Sequence, residues 1–247
     1  MLRGVDPELL AFCEPWLARE PRLLLACRYA TEGAPRARVL ASQVLLREFT
    51  QAAIAASDRR VAEARLHWWL EEAACWRQGH ARHPLARGID VPLAAPGLSA
   101  VAARWLAWLD CAPENAAELC QWLQELAAAS ATIGGGSALA WLGAATCESL
   151  RATASLASIL PLDLCARAGL RRSQWWELDP GRRGALLAEL VDRVVAGLAG
   201  AAPAGNAALA ALQVLDRRWL RRLPAADAAR LRPGDVYSAW RAARRFG

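Results

Sequence analysis

An all-α fold, in one domain spanning residues 1–247, follows from three features of the chain. Apolar residues make up 55% of it, yet the Ala- and Leu-rich stretches are interrupted by Arg or Glu every few residues, the pattern of helices that bury one face. Valine, isoleucine and threonine are scarce, and turn signals do not recur at the spacing of about 8–12 residues that a β-sandwich needs. The 247 residues are enough for one substantial core without a second domain.

The elements follow from periodicity and its interruptions. Pro7 to Arg19 reads as a short helix stopped by Glu20-Pro21, and Arg22 to Thr31 as a second one ended by Gly33-Ala34-Pro35. Arg36 to Ala56 carries Val39, Val44, Leu45, Leu46 and Phe49 on a helical stripe. In Arg59 to Gln78, Val61, Leu66, Trp69 and Leu70 are spaced for one face, and Gly79 is placed to end the helix. Three turn signals predict a loop over Gly88 to Pro96, before a helix from Leu98 to Cys111. Beyond Ala112-Pro113, Glu114 and Glu118 place acids in the first turn of a helix running to Ser130, where they favour the positive end of the helix dipole. Gly134-Gly135-Gly136 predicts a break or a close helix contact; without a following Gly-Lys or a preceding strand it is not a phosphate loop. Ser137 to Leu160, Arg182 to Leu198, Asn206 to Arg222 and Val236 to Arg245 complete the helices.

Charge is distributed unevenly. All 30 basic residues are arginine, and from Arg217 onward nine arginines face only Asp227 and Asp235, a net +7. The other 216 residues carry 21 arginines against 22 acids, so the formal charge of +6 belongs to this basic segment. Such a segment, Arg217–Arg245, suits an acidic protein partner or an anionic membrane surface. A nucleic acid fits less well, because the arginines are not interleaved with stacking aromatics and no reading motif is present. The alternative is a solvated helical end.

No run approaches about 18 uncharged apolar residues; the nearest, Gly184 to Ala202, holds Glu189, Asp192 and Arg193. Asp6, Glu8 and Glu14 stand where a secretory signal would need a basic end and an apolar stretch. Seven cysteines without a Cys-x-x-Cys pair read as buried thiols of a reducing compartment. The expected location is cytoplasmic, with peripheral attachment at the inner membrane surface through the arginines.

Twelve tryptophans are many for this length. Trp68, Trp69, Trp76, Trp105, Trp108, Trp122 and Trp141 recur mostly at helical spacing, which predicts core and helix-crossing filler. The same residues would line any apolar pocket the fold retains. His67 and Glu71 share a helix face at i, i+4 with His80 and His83 nearby, a conceivable metal set, but these histidines read better as surface and loop-shaping residues. Glu71-Glu72, Glu189 with Asp192, and Glu114 with Glu118 read as solvated faces and first-turn charges.

One run is more specific: Arg65-Leu66-His67-Trp68-Trp69, then Gly79 and His83-Pro84-Leu85-Ala86. In the same order follow Ser130 to Gly136, Leu142-Gly143, Leu150-Arg151, Ile159-Leu160-Pro161-Leu162-Asp163 with Ala168-Gly169-Leu170, and Ala239-Trp240-Arg241-Ala242-Ala243-Arg244. Together they resemble the squalene/phytoene synthase family, the trans-isoprenoid synthases that join two prenyl diphosphates head to head. The resemblance implies an isoprenoid-synthase-type helical bundle around a central cavity, with Arg47, Glu48, Arg65, Trp68 and Trp69 facing the ancestral pocket.

The chemistry of that family is missing from these positions. Its members hold magnesium between two aspartate-rich helix faces, because a hard divalent cation needs oxygen ligands and a departing diphosphate needs its charge neutralised. Here the first such helix, Arg47 to Ile54, offers only Glu48, and Ser149 to Ile159 contains no acid, with Glu148 alone preceding it. The expectation is a protein without prenyl-condensation activity, catalytic residues or resident metal, which binds an isoprenoid or lipid or serves in assembly. The alternative is a divergent prenyltransferase or terpene-forming enzyme using magnesium on Glu48, Glu148 and Asp163 or the His67/Glu71 pair.

Overall fold

The computed structural model describes residues 2–54, 58–111, 116–134, 178–179, isolated positions between 181 and 192, and 207–220, 222 and 231–245. The expected helices Ser137 to Leu160 and most of Arg182 to Leu198, the triple glycine beyond Gly134, Trp141, Glu148 and Asp163 lie outside them. Among the described residues there are eight α-helices and no strand: α1 Pro7–Arg19, α2 Pro21–Tyr29, α3 Ala34–Ile54, α4 Arg59–Arg77, α5 Val91–Asp110, α6 Ala116–Gly134, α7 Ala207–Leu220 and α8 Pro233–Ala243. A 3-10 turn, Pro84–Gly88, joins α4 to α5. The fold is all-α.

Local chemistry sets the helix ends. Asp6 caps α1 by accepting from the backbone N–H groups of Glu8 and Leu9, with Pro7 at the first turn, where its missing N–H costs nothing. Gly79, at φ +75°, ends α4: its N–H bonds to the Trp76 carbonyl and that of His80 to the Cys75 carbonyl, the paired closure that a left-handed residue permits. The loop expected over Gly88 to Pro96 is instead mostly helix, because α5 begins at Val91. Pro92 falls in the first turn and is tolerated there, whereas Pro96 removes one internal hydrogen bond. Burial of Ala94, Ala95, Gly97 and Leu98 on that turn offsets the loss.

α3 is the central element. Leu40, Ala41, Gln43, Val44, Leu45 and Phe49 are almost wholly buried there, and α1, α2, α4, α5, α6 and the 3-10 turn all touch it. α4 packs on α5 and α5 on α6. The α5–α6 crossing is tight at Gly97: a Cβ there would lie 1.8 Å from Thr132 Oγ1 and 2.8 Å from the Ala129 carbonyl. Trp105, Trp108 and Trp122 fill the same interface, with ring centroids 4.4–5.8 Å apart. One hydrophobic cluster draws on residues from Leu2 to Trp219, so the expectation that most tryptophans are core holds for Trp69, Trp76, Trp105, Trp108 and Trp122.

The carboxy-terminal pair α7–α8 joins this body through α2. Arg22, 3% exposed, reaches Asp216 on α7 at 2.8 Å and lies 4.6 Å above the Trp219 ring. Its other arm is 3.4 Å from Glu20, which also has the Arg47 guanidinium at 3.9 Å. Two arginines and two acids thus form a buried charge lattice, neutral in sum, across α2, α3 and α7.

Candidate functional site

Two helix faces converge on one open cavity of about 420 Å³, within the range of roughly 300–1,000 Å³ that small-molecule pockets occupy. α3 contributes Glu48, Gln51 and Ala52, and α4 contributes Arg65, Trp68 and Trp69. Each set follows the i, i+3, i+4 spacing that aligns side chains on one helical face. His83, from the segment between α4 and the 3-10 turn, lines the same space.

Four of the five sequence-predicted site residues, Glu48, Arg65, Trp68 and Trp69, therefore share one wall. Arg47 does not line it. One residue along a helix is a rotation of about 100°, which carries its side chain away to Glu20 and to the carbonyl of Gln43, 2.8 Å from Nη1. Gln51, Ala52 and His83 were not among the expected site residues; for Gln51 and Ala52, extending the helical spacing from Glu48 would have found them.

The aromatic part of the cavity is continuous. Trp69 is in ring contact with Phe49 at 5.0 Å, with Trp68 at 5.0 Å and with His83 at 4.8 Å, and Phe12 meets His83 edge-on at 4.8 Å. Trp69 and Phe49 are buried, while Trp68 is 37% exposed and presents its ring at the mouth. The Arg82 guanidinium lies 5.8 Å from the Trp68 ring centroid, so a cation flanks the aromatic entrance.

Glu48 and His83 bring unlike polar behaviour to this wall. Burial pushes the Glu48 carboxyl above its ordinary range, opposed by the Trp16 indole N–H, which donates to Oε1 at 2.9 Å. Burial holds the His83 imidazole below its usual value, against the opposing pull of the Glu72 carboxylate. His83 Nδ1 accepts from the Leu85 backbone N–H at 3.2 Å, which puts the proton of the neutral ring on Nε2.

Glu72 organises the rim. The reading of Glu71-Glu72 as a solvated pair is corrected for Glu72, which is wholly buried. Oε1 accepts from Trp76 Nε1 at 2.9 Å, the Arg82 backbone N–H at 2.7 Å and the His83 backbone N–H at 2.9 Å, and Oε2 accepts from Arg82 Nε at 2.9 Å. Burial raises its pKa, but the two backbone donors, Arg82 and Trp76 outweigh that effect and hold the carboxyl below its ordinary value. Position 72 falls one turn past Trp68-Trp69, on the inward face, and a periodicity count that includes charged residues would have placed it there.

His67 is exposed on the other side of α4, with Nδ1 2.8 Å from the Glu63 carbonyl. Among the described residues no three His, Cys, Asp or Glu side chains gather in a set able to hold a metal ion. Within the cavity wall Glu48 supplies the one carboxylate among the described lining residues. The described wall thus combines aromatic surface, guanidinium groups and one carboxyl whose ionisation burial opposes. Comparison with family models, curated proteins and solved structures found no match to this chain.

Proposed function

We propose that this chain is a squalene/phytoene synthase-like protein that binds an isoprenoid or related lipid in the α3–α4 cleft and does not condense prenyl diphosphates. The observation supporting it is the convergence of Glu48, Arg65, Trp68 and Trp69 with His83 on one aromatic cavity. In this reading Trp68 and Trp69 cover the apolar chain, while Arg65 and Arg82 meet an anionic head at the mouth. A metal-bridged diphosphate needs several carboxylates on facing helices; this wall offers Glu48, whose ionisation burial opposes.

Calorimetric titration with farnesyl diphosphate and with a non-hydrolysable analogue, each with and without magnesium, tests the proposal. Binding that is independent of magnesium and at least tenfold weaker in Trp68→Ala is the expected result. Turnover of the diphosphate with magnesium, abolished by Glu48→Ala, would establish the enzymatic alternative, and absence of binding in all four titrations would overturn both.

A further inference from the structure

α8 presents a second chemical face, distinct from the cleft. Its inner side is fixed: Asp235, Ala239 and Ala243 are buried against α7, where Ala211 and Leu215 receive them. Its outer side leaves large apolar groups in water, Tyr237 at 60%, Trp240 at 41% and Val236 at 41%. The rings of Tyr237 and Trp240 are 5.8 Å apart and tilted by 32°, and the Arg244 guanidinium lies 5.0 Å from the Trp240 centroid. Arg241, Arg244 and Arg245 are exposed on the same outer side.

The single acid of α8 is engaged by arginines outside that helix. Asp235 is held by the Arg218 Nε at 2.7 Å, the Arg222 Nη2 at 2.9 Å and the Arg232 backbone N–H at 2.8 Å. It is the only acid between residues 228 and 247, a stretch with five arginines. One face of Trp240 is already covered by Arg244, which leaves less of the ring for a nucleobase.

We infer that the outer face of α8 is a docking surface for an anionic lipid bilayer, with Tyr237 and Trp240 entering the interfacial layer and Arg241, Arg244 and Arg245 meeting the headgroup phosphates. Amphipathic aromatic rings settle at the boundary between headgroups and acyl chains, and arginines beside them pair with anionic lipid. A fluid, negatively charged plane accommodates an exposed aromatic and arginine face without a complementary pocket. α8 has 11 residues, fewer than the about 20 that a spanning helix needs, so attachment through this face is peripheral.

The test is sedimentation of the full chain with vesicles of phosphatidylcholine alone and of phosphatidylcholine with phosphatidylglycerol, at about 0.1 M and about 1 M salt, where screening lengths fall from roughly 10 Å to 3 Å. Binding to the anionic vesicles at low salt, at least tenfold stronger than to neutral ones and lost at high salt, is expected. Removing two of the arginines in Arg241→Gln/Arg244→Gln should weaken it about thirtyfold, and Tyr237→Ser/Trp240→Ser about tenfold or more. These side chains are exposed, so unchanged thermal unfolding would show that the variants fold. Equal binding to both vesicles, or anionic binding indifferent to all four substitutions, would overturn the inference. Binding to polyglutamate but not to vesicles would overturn it in favour of an acidic protein partner.

Discussion

Replacing Glu72 separates charge from shape at the rim of the cleft. In Glu72→Ala the indole N–H of Trp76 and the backbone N–H groups of Arg82 and His83 lose the acceptor Oε1. The fourth bond, from Arg82 Nε, is made by a side chain 54% exposed and is worth little. Three donors left without a partner in or near the interior cost about 1–3 kcal/mol each where water cannot replace the acceptor, and removal of one member of a buried charged network costs about 3–5 kcal/mol in all. Glu72→Gln differs in a defined way. Its amide oxygen can take the Oε1 position and keep three bonds, while the NH₂ faces the exposed Arg82, so a loss of about 1–1.5 kcal/mol is expected. Urea unfolding at pH 7 measures both. With a slope of about 2–3 kcal/mol per M, the midpoint should fall by about 1–2.5 M for alanine and by about 0.3–0.8 M for glutamine. A cost below about 1 kcal/mol for alanine, or equal costs for the two variants, would refute the argument that Oε1 organises the rim. The folded carboxyl titrates below its ordinary value. Its stabilisation is therefore complete above the unfolded carboxylate pKa and disappears as pH falls through the folded one, so the difference between wild type and Glu72→Gln should vanish in acid.

Glu48 behaves oppositely: burial raises its folded pKa, so ionisation works against folding as pH rises. Glu48→Gln should melt higher than wild type at pH 8 and converge with it in acid, as followed by circular dichroism. Gly97→Ala drives a methyl into Thr132 and the Ala129 carbonyl and should cost about 1–3 kcal/mol or more in urea unfolding. Burial pushes the thiols of Cys13 and Cys27 up to about 12, so at pH 8 iodoacetamide followed by peptide mapping should find both unmodified in the native protein and the exposed Cys111 labelled.

Periodicity made the helices legible because α1, α3 and α4 are bounded by strong punctuation: Asp6-Pro7, Gly33-Ala34-Pro35 and Gly79. It failed at α5, where three turn-forming residues occupy positions that an opening helical turn can absorb when its other face is buried. Glu48, Arg65, Trp68 and Trp69 were expected at a pocket only through the resemblance, and they line one cavity because helical spacing puts Glu48 on one face of α3 and the other three on one face of α4. Arg47, expected through the same resemblance, is one position along α3 from Glu48 and so turns to Glu20 and the Gln43 carbonyl instead of the cavity. For Glu72 the inward position is legible from spacing once charged residues are counted, but its partners are not: the donors lie ten and eleven residues away, on a loop that follows the helix.

The lattice of Arg22, Glu20, Arg47 and Asp216 has a temporal consequence. Its members Arg22 and Asp216 are 194 residues apart. On a ribosome adding about 5–20 residues per second, α2 waits roughly 10–40 s for the carboxylate that meets its arginine. During that interval the growing chain has Arg22 and Trp219's eventual stacking surface without their counterparts, so the early helices complete their packing only after α7 has been synthesised. Vectorial folding of this protein should therefore finish late, in one step that recruits the first helices and α7 together, and a chain stalled before residue 216 is the form on which a chaperone should act.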